Sequence, residues 1–158
     1  MRQKTCFFIG HREAPESIIP ILSVEVERHI SEYGVSTFVA GRYGRFDSLA
    51  ATTVIAAKAK HPNVTLALLL PYHPAERTVD IQTGFDETIY PPGMEKVPRR
   101  YAIVEANKAM IRQSNYLIAY VTHPASNASK FLEYAKRREA VDLIRTTNIG
   151  ILFRHHQL

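Results

Sequence analysis

Cysteine occurs once in this chain, at Cys6, which excludes an internal disulfide framework. Its position inside an apolar run reads as a buried, inert thiol suited to a reducing compartment. Apolar stretches such as Val64 to Leu70 end well short of the ~20 residues a membrane span needs, and the N-terminus carries no signal-peptide h-region. A soluble, unexported, cytoplasmic protein is expected. The seven histidines lack zinc-ligand spacing, so no metal is expected, and no resident cofactor. Glycine is scarce too, seven in 158 residues, and it is missing where it would be most telling. The turn Pro124-Ala125-Ser126-Asn127-Ala128-Ser129 joins an apolar run to a basic helical stretch, a place where phosphate-binding loops are usually glycine-rich.

What is there points to one α/β domain spanning 1–158. Thr5–Ile9, Ser36–Ala40, Val64–Leu70, Tyr116–Val121 and Ile149–Phe153 are near-continuous apolar segments rich in β-branched and aromatic residues, the pattern of strands covered on both faces. Gly84 to Tyr90 is more polar and reads as an edge strand. Between them, Ile19, Leu22, Val26, Ile30 and Tyr33 recur at helical spacing, with Gly34 as the C-terminal stop. A second helix is expected to start at Asp47 as N-cap and to end before His61-Pro62-Asn63; Ile103, Asn107, Met110, Ile111 and Ser114 mark another. Alternating strands and helices imply right-handed crossovers, hence a Rossmann-like, doubly wound, mainly parallel sheet with helices on both faces. The stretch Pro71 to Arg100 is the least regular and reads as an excursion over the site.

The formal net charge of +5 favours anionic partners without choosing among them. In an open parallel sheet, ligands bind beyond the carboxyl ends of the strands, so the residues that follow each strand form a natural test. They are Gly10-His11-Arg12, Gly41-Arg42-Tyr43-Gly44-Arg45-Phe46-Asp47, Pro71-Tyr72-His73, Pro91-Pro92-Gly93, the Pro124 turn and Arg154-His155-His156. Arg grips phosphate bidentately and stacks on bases, so this rim suits an anion with flat groups; solubilising loops are the plain alternative. Arg99-Arg100 precede a helix start, where cations are unfavourable unless an anion neutralises them. Tyr72, Tyr90 and Tyr101 are stacking or core candidates, and Asn107 reads as a core amide bonded to backbone. The Lys130 to Arg138 cluster reads first as a solvated helix face, with nucleic acid the less favoured partner.

Three stretches add a resemblance. Phe8-Ile9-Gly10-His11-Arg12, Val39-Ala40-Gly41-Arg42-Tyr43-Gly44-Arg45-Phe46-Asp47-Ser48-Leu49-Ala50-Ala51 and Ser114-Asn115-Tyr116-Leu117-Ile118-Ala119-Tyr120-Val121 resemble the (T/I)GHR, GxxGxxDxLAA and SDxLIAYV stretches of the YpsA-like branch of the SLOG superfamily. That superfamily includes the lonely-guy phosphoribohydrolases and the DNA-processing protein A. The resemblance implies a Rossmann-like homodimer that binds nucleotides or nucleotide-derived ligands, ADP-ribose-type molecules included. Carried over, the contacts are Gly10, His11 and Arg12, then Gly41, Arg42, Gly44 and Asp47, with phosphate at the turn holding Ser126, Asn127 and Ser129; Arg100, read from its place before a helix start and not from the resemblance, would close over it. His11 reads as a hydrogen-bond donor.

The departures matter as much. In the lonely-guy hydrolases the last turn reads PGGxGTxxE; here its glycines have become Ala125, Ser126 and Ala128, and Leu132 stands where the catalytic Glu belongs. Ala106 and Asn107 replace the hydrolases' Arg-Lys pair. Hydrolysis of an N-glycosidic bond needs a carboxylate near the oxocarbenium-like centre and a cation on the phosphate, so a non-catalytic sensor or regulatory module is the expectation. The alternative is a nucleotide-processing N-glycosidase in which Glu133 or Glu87 has taken over the carboxylate role.

Overall fold

The computed structural model describes residues 3–75 and 83–152. Six strands form one sheet in the order β4-β3-β2-β1-β5-β6: β1 Lys4–Gly10, β2 Val35–Ala40, β3 Thr65–Leu69, β4 Glu87–Ile89, β5 Tyr116–Tyr120 and β6 Arg145–Asn148. Every pairing is parallel, so each strand returns through a crossover. Helices α1 Ile19–Ser31, α2 Arg45–Lys58, α3 Ala102–Gln113 and α4 Asn127–Glu139 supply the main connections. This is the Rossmann-like α/β arrangement expected from the sequence.

Strand alternation decides which helices cover which face. On β1, Cys6 and Phe8 point to one side, Phe7 and Ile9 to the other, as a period of two requires. Phe8, Phe38, Leu66 and Ile118 pack with Leu22 and Val26 of α1 and Leu49 and Val54 of α2. Phe7, Val39, Leu69 and Leu117 pack with Ala106, Met110, Phe131 and Leu132 of α3 and α4. Two cores on one sheet explain why these strands read as unbroken apolar runs. Cys6 lies in the first core, fully buried, and burial pushes its thiol pKa far up.

Two boundaries differ from expectation. The sixth strand is Arg145–Asn148, not Ile149–Phe153; residues 149–152 are helical and Ile149 is buried. A sheet-edge strand draws its hydrogen bonds from one neighbour, here Tyr116 to Ala119, and needs no two-sided apolar cover, so the apolar run was the wrong signal. Helix α2 starts at Arg45 with Gly44 at the N-cap, and Asp47 sits inside the first turn, where its Oδ2 accepts the Tyr43 N–H at 3.1 Å. A carboxylate at that position reaches back over the helix start, which resembles half of a capping box. Gly34 ends α1 region as read, at φ +75°. The excursion from Pro71 to Arg100 contains β4 and two short 3-10 turns, Met94–Lys96 and Arg99–Tyr101.

Candidate functional site

The strand order reverses between β1 and β5, whose last residues, Gly10 and Tyr120, lie side by side in register. Chains leaving these two strands turn to opposite faces of the sheet and leave a crevice between them. A cleft of about 490 Å³ opens there, and it brings together residues far apart along the chain: Gly10, His11 and Arg12; Gly41, Gly44 and Asp47; Ser126 and Asn127. Three of the residues singled out from sequence do not line it. Arg42, Arg100 and Ser129 are not among the lining residues; Arg42 is exposed, and the Arg100 guanidinium sits 4.8 Å over the ring of Tyr101.

His11 is the hinge of this site. It is 9% exposed, and its backbone N–H donates to Tyr120 O at 3.2 Å while its Nε2 accepts the Thr122 N–H at 2.8 Å. An accepting Nε2 leaves the proton on Nδ1, so the ring is neutral and one of its tautomers is fixed. Burial lowers its pKa, and the His123 ring stacked on it at 4.2 Å lowers it further. The imidazole therefore splices the ends of β1 and β5 through one nitrogen and keeps the other as a donor.

The glycines of the second loop have packing reasons. A Cβ on Gly44 would stand 2.8 Å from the Arg12 Cα, in the same approach that lets the Arg45 N–H donate to Arg12 O at 2.9 Å. On Gly41 it would lie 3.0 Å from Asp47 Oδ2, and on Gly10 it would enter the ring of Phe46 at 2.4 Å. Small residues here let the loops after β1 and β2 close on one another. Asp47 is the consequence: burial pushes its carboxyl up to about 6, with the Tyr43 N–H pulling the other way.

The glycine-free turn ends in a capped helix. Ser126 is the N-cap of α4, and its Oγ accepts the Ser129 N–H at 3.1 Å. Of the first-turn donors, those of Asn127 and Ala128 have no intrahelical acceptor, and both residues line the cleft. The helix dipole adds partial positive charge at the same end. Opposite, Ile103, Val104 and Ala106 of α3 give an apolar wall; Asn107 Nδ2 donates to Ile103 O at 2.9 Å, the backbone bond expected, but the residue is half-buried and lines the cleft and is not a core amide.

Carboxylates are placed differently from the sequence expectation. Glu133 and Glu87 are exposed and line no part of this cleft, and Leu132 is buried in the core. The acids at the cleft are Asp47 and Glu13. Sequence reasoning also missed Thr122 and His123, which stand between the end of β5 and the Pro124 turn. Among the described residues no group of three His, Cys, Asp or Glu could hold a metal ion, and no helix is long and apolar enough to cross a membrane. Arg154, His155 and His156 lie outside the described residues. Farther along the α3–α4 contact, Lys108 and Arg137 approach the ring of Tyr134 at 5.8 and 5.9 Å, while Arg112 donates to its hydroxyl at 3.1 Å.

No protein-family model matches the chain, and no curated protein does. A solved structure is similar to it. The Moco carrier protein from Chlamydomonas reinhardtii aligns at 18% identity with a TM-score of 0.49, over 99% of this chain and 97% of that one. That likeness names neither a family nor a ligand for this chain.

Proposed function

We propose that this single-domain protein is a binding module for a nucleotide or nucleotide-derived ligand, ADP-ribose-type molecules included, acting as a non-catalytic sensor of the SLOG kind. One observation carries the reading: the free N–H groups of the first turn of α4, the His11 ring and the Arg12 loop line one cleft at the switch point of the sheet. Phosphate would sit on the N–H groups of Asn127 and Ala128, with Arg12 as its counter-charge. Asp47 and the Nδ1–H of His11 would take hydroxyls or a second polar group. Arg42, Arg100 and Ser129 have no part in this contact set. The glycine-free turn suits the reading because Ser126 caps the helix through its own side chain and leaves two backbone donors for a guest.

Titration of the chain with AMP and with ADP-ribose tests it. Arg12→Ala should weaken binding by about 10- to 100-fold, the scale of a hydrogen bond to a charged group, while Arg42→Ala should leave it unchanged. Equal loss in both variants, or in neither, would move the site elsewhere. The enzymatic alternative draws on Asp47, since a carboxyl with a pKa near neutrality in a cleft is a usable acid or base. Base released from either nucleotide, and abolished by Asp47→Asn, would replace the sensor reading with that one. The homodimeric state implied by the resemblance is open to sedimentation equilibrium.

A further inference from the structure

A second cavity, of about 420 Å³, adjoins the first. Pro71, directly after β3, lines both, and Ala102 at the start of α3 lines the second while its neighbour Ile103 lines the first. Its character is different. Where the switch-point cleft offers backbone donors, His11 and Arg12, this one is walled by Tyr72, Tyr90, Met94, Val97 and Pro71, with the Glu95 carboxylate at its lining to repel a phosphate. Tyr72, Tyr90, Met94 and Val97 all pack on the core beneath α3 and α4, so the walls are set by the fold. Arg99 lines the cavity as well, and its guanidinium lies 5.9 Å over the ring of Tyr72.

Two half-buried phenol rings, aliphatic sides and a flat cation over one aromatic face make a poor seat for phosphate and a good one for a planar heterocycle. Rings gain from offset or edge contacts with aromatic neighbours, and a guanidinium stacks on them in turn. The volume is within the ~300–1,000 Å³ usual for ligand pockets. Pro71 is common to both cavities, so a ligand with a charged end and a flat end would pass this one residue to occupy them together.

We infer that the Tyr72–Tyr90–Arg99 cavity is the base subsite of the ligand bound at the switch-point cleft, so the cognate molecule is a nucleotide with its base intact and not a sugar phosphate. This rests on the function proposed above. The chain should be titrated calorimetrically with AMP and with ribose 5-phosphate, which lacks the base. AMP should bind at least about tenfold more tightly, the scale of one stacked base. Tyr90→Leu and Tyr72→Leu should each reduce that advantage severalfold and leave ribose 5-phosphate affinity unchanged, which also reports that the variants are folded. Arg99→Ala, at an exposed position, should reduce it in the same direction. Equal affinity of the two probes for the wild-type chain, or AMP binding untouched by all three substitutions, overturns the base subsite and leaves the proposed function standing. If neither of these probes nor ADP-ribose binds, the proposed function fails first and this inference with it; if ADP-ribose alone binds, its affinity should fall severalfold with the same three substitutions, and no fall overturns the base subsite.

Discussion

Replacing Asp47 by Asn removes a charge that the fold holds at a cost. Its carboxyl has an ordinary value of 3.8 and is raised to about 6 by burial, against a single opposing hydrogen bond from the Tyr43 N–H. A rise of that size corresponds to about 3 kcal/mol of stability lost when the group is ionised, and partial exposure of the residue brings the expectation to about 1–3 kcal/mol. The sign follows from proton binding: between the unfolded value and the folded one, the native state holds a proton that the unfolded chain has released. Stability from this group therefore falls as pH rises from about 4 to about 6, and the whole cost is present above that. Asn keeps an oxygen to accept the Tyr43 N–H and carries no charge. Urea unfolding at pH 7.5 should thus show Asp47→Asn about 1–3 kcal/mol more stable than wild type, and the difference should shrink towards zero near pH 4. A variant no more stable at pH 7.5, or one whose advantage does not change with pH, would refute the account of Asp47 as a buried, under-compensated charge. A stabilised variant that also loses nucleotide affinity would show why the residue is kept.

Two further outcomes follow from other contacts. Gly10→Ala places a methyl against the Phe46 ring and should cost about 1–3 kcal/mol; Phe46→Leu costs stability by itself, and thermal melts of the double variant should show the two losses adding to less than their sum. His29 is fully buried, its Nδ1 bonds Glu25 O at 2.7 Å, its Nε2 has no hydrogen-bond partner among the described residues, and burial lowers its pKa. It is neutral in the folded protein, so stability should fall as pH drops below about 6.5, where the unfolded chain gains a proton that the native state refuses. His29→Phe, set between Tyr33 and Tyr116, should flatten that acid limb in chemical unfolding.

The alternation of apolar runs with helical spacing was enough to specify a parallel α/β sheet, because strands buried on both faces leave no polar positions and so announce themselves. The rule that ligands collect at strand ends then named Gly10, His11, Arg12, Gly41, Gly44, Asp47, Ser126 and Asn127 as neighbours, and they share one cleft. Edge strand β6 escaped notice for the converse reason: Arg145-Thr146-Thr147-Asn148 faces too little core to need an apolar signature. The roles of individual residues were beyond the sequence as well. Nothing local says that Gly44 is small to let Arg12 pass, that His11 accepts from Thr122, or that Glu133 points into solvent while Glu13 reaches the cleft. Periodicity is a property of neighbours along the chain, whereas a binding site depends on which distant backbones come within a few ångströms, and only the tertiary structure decides that.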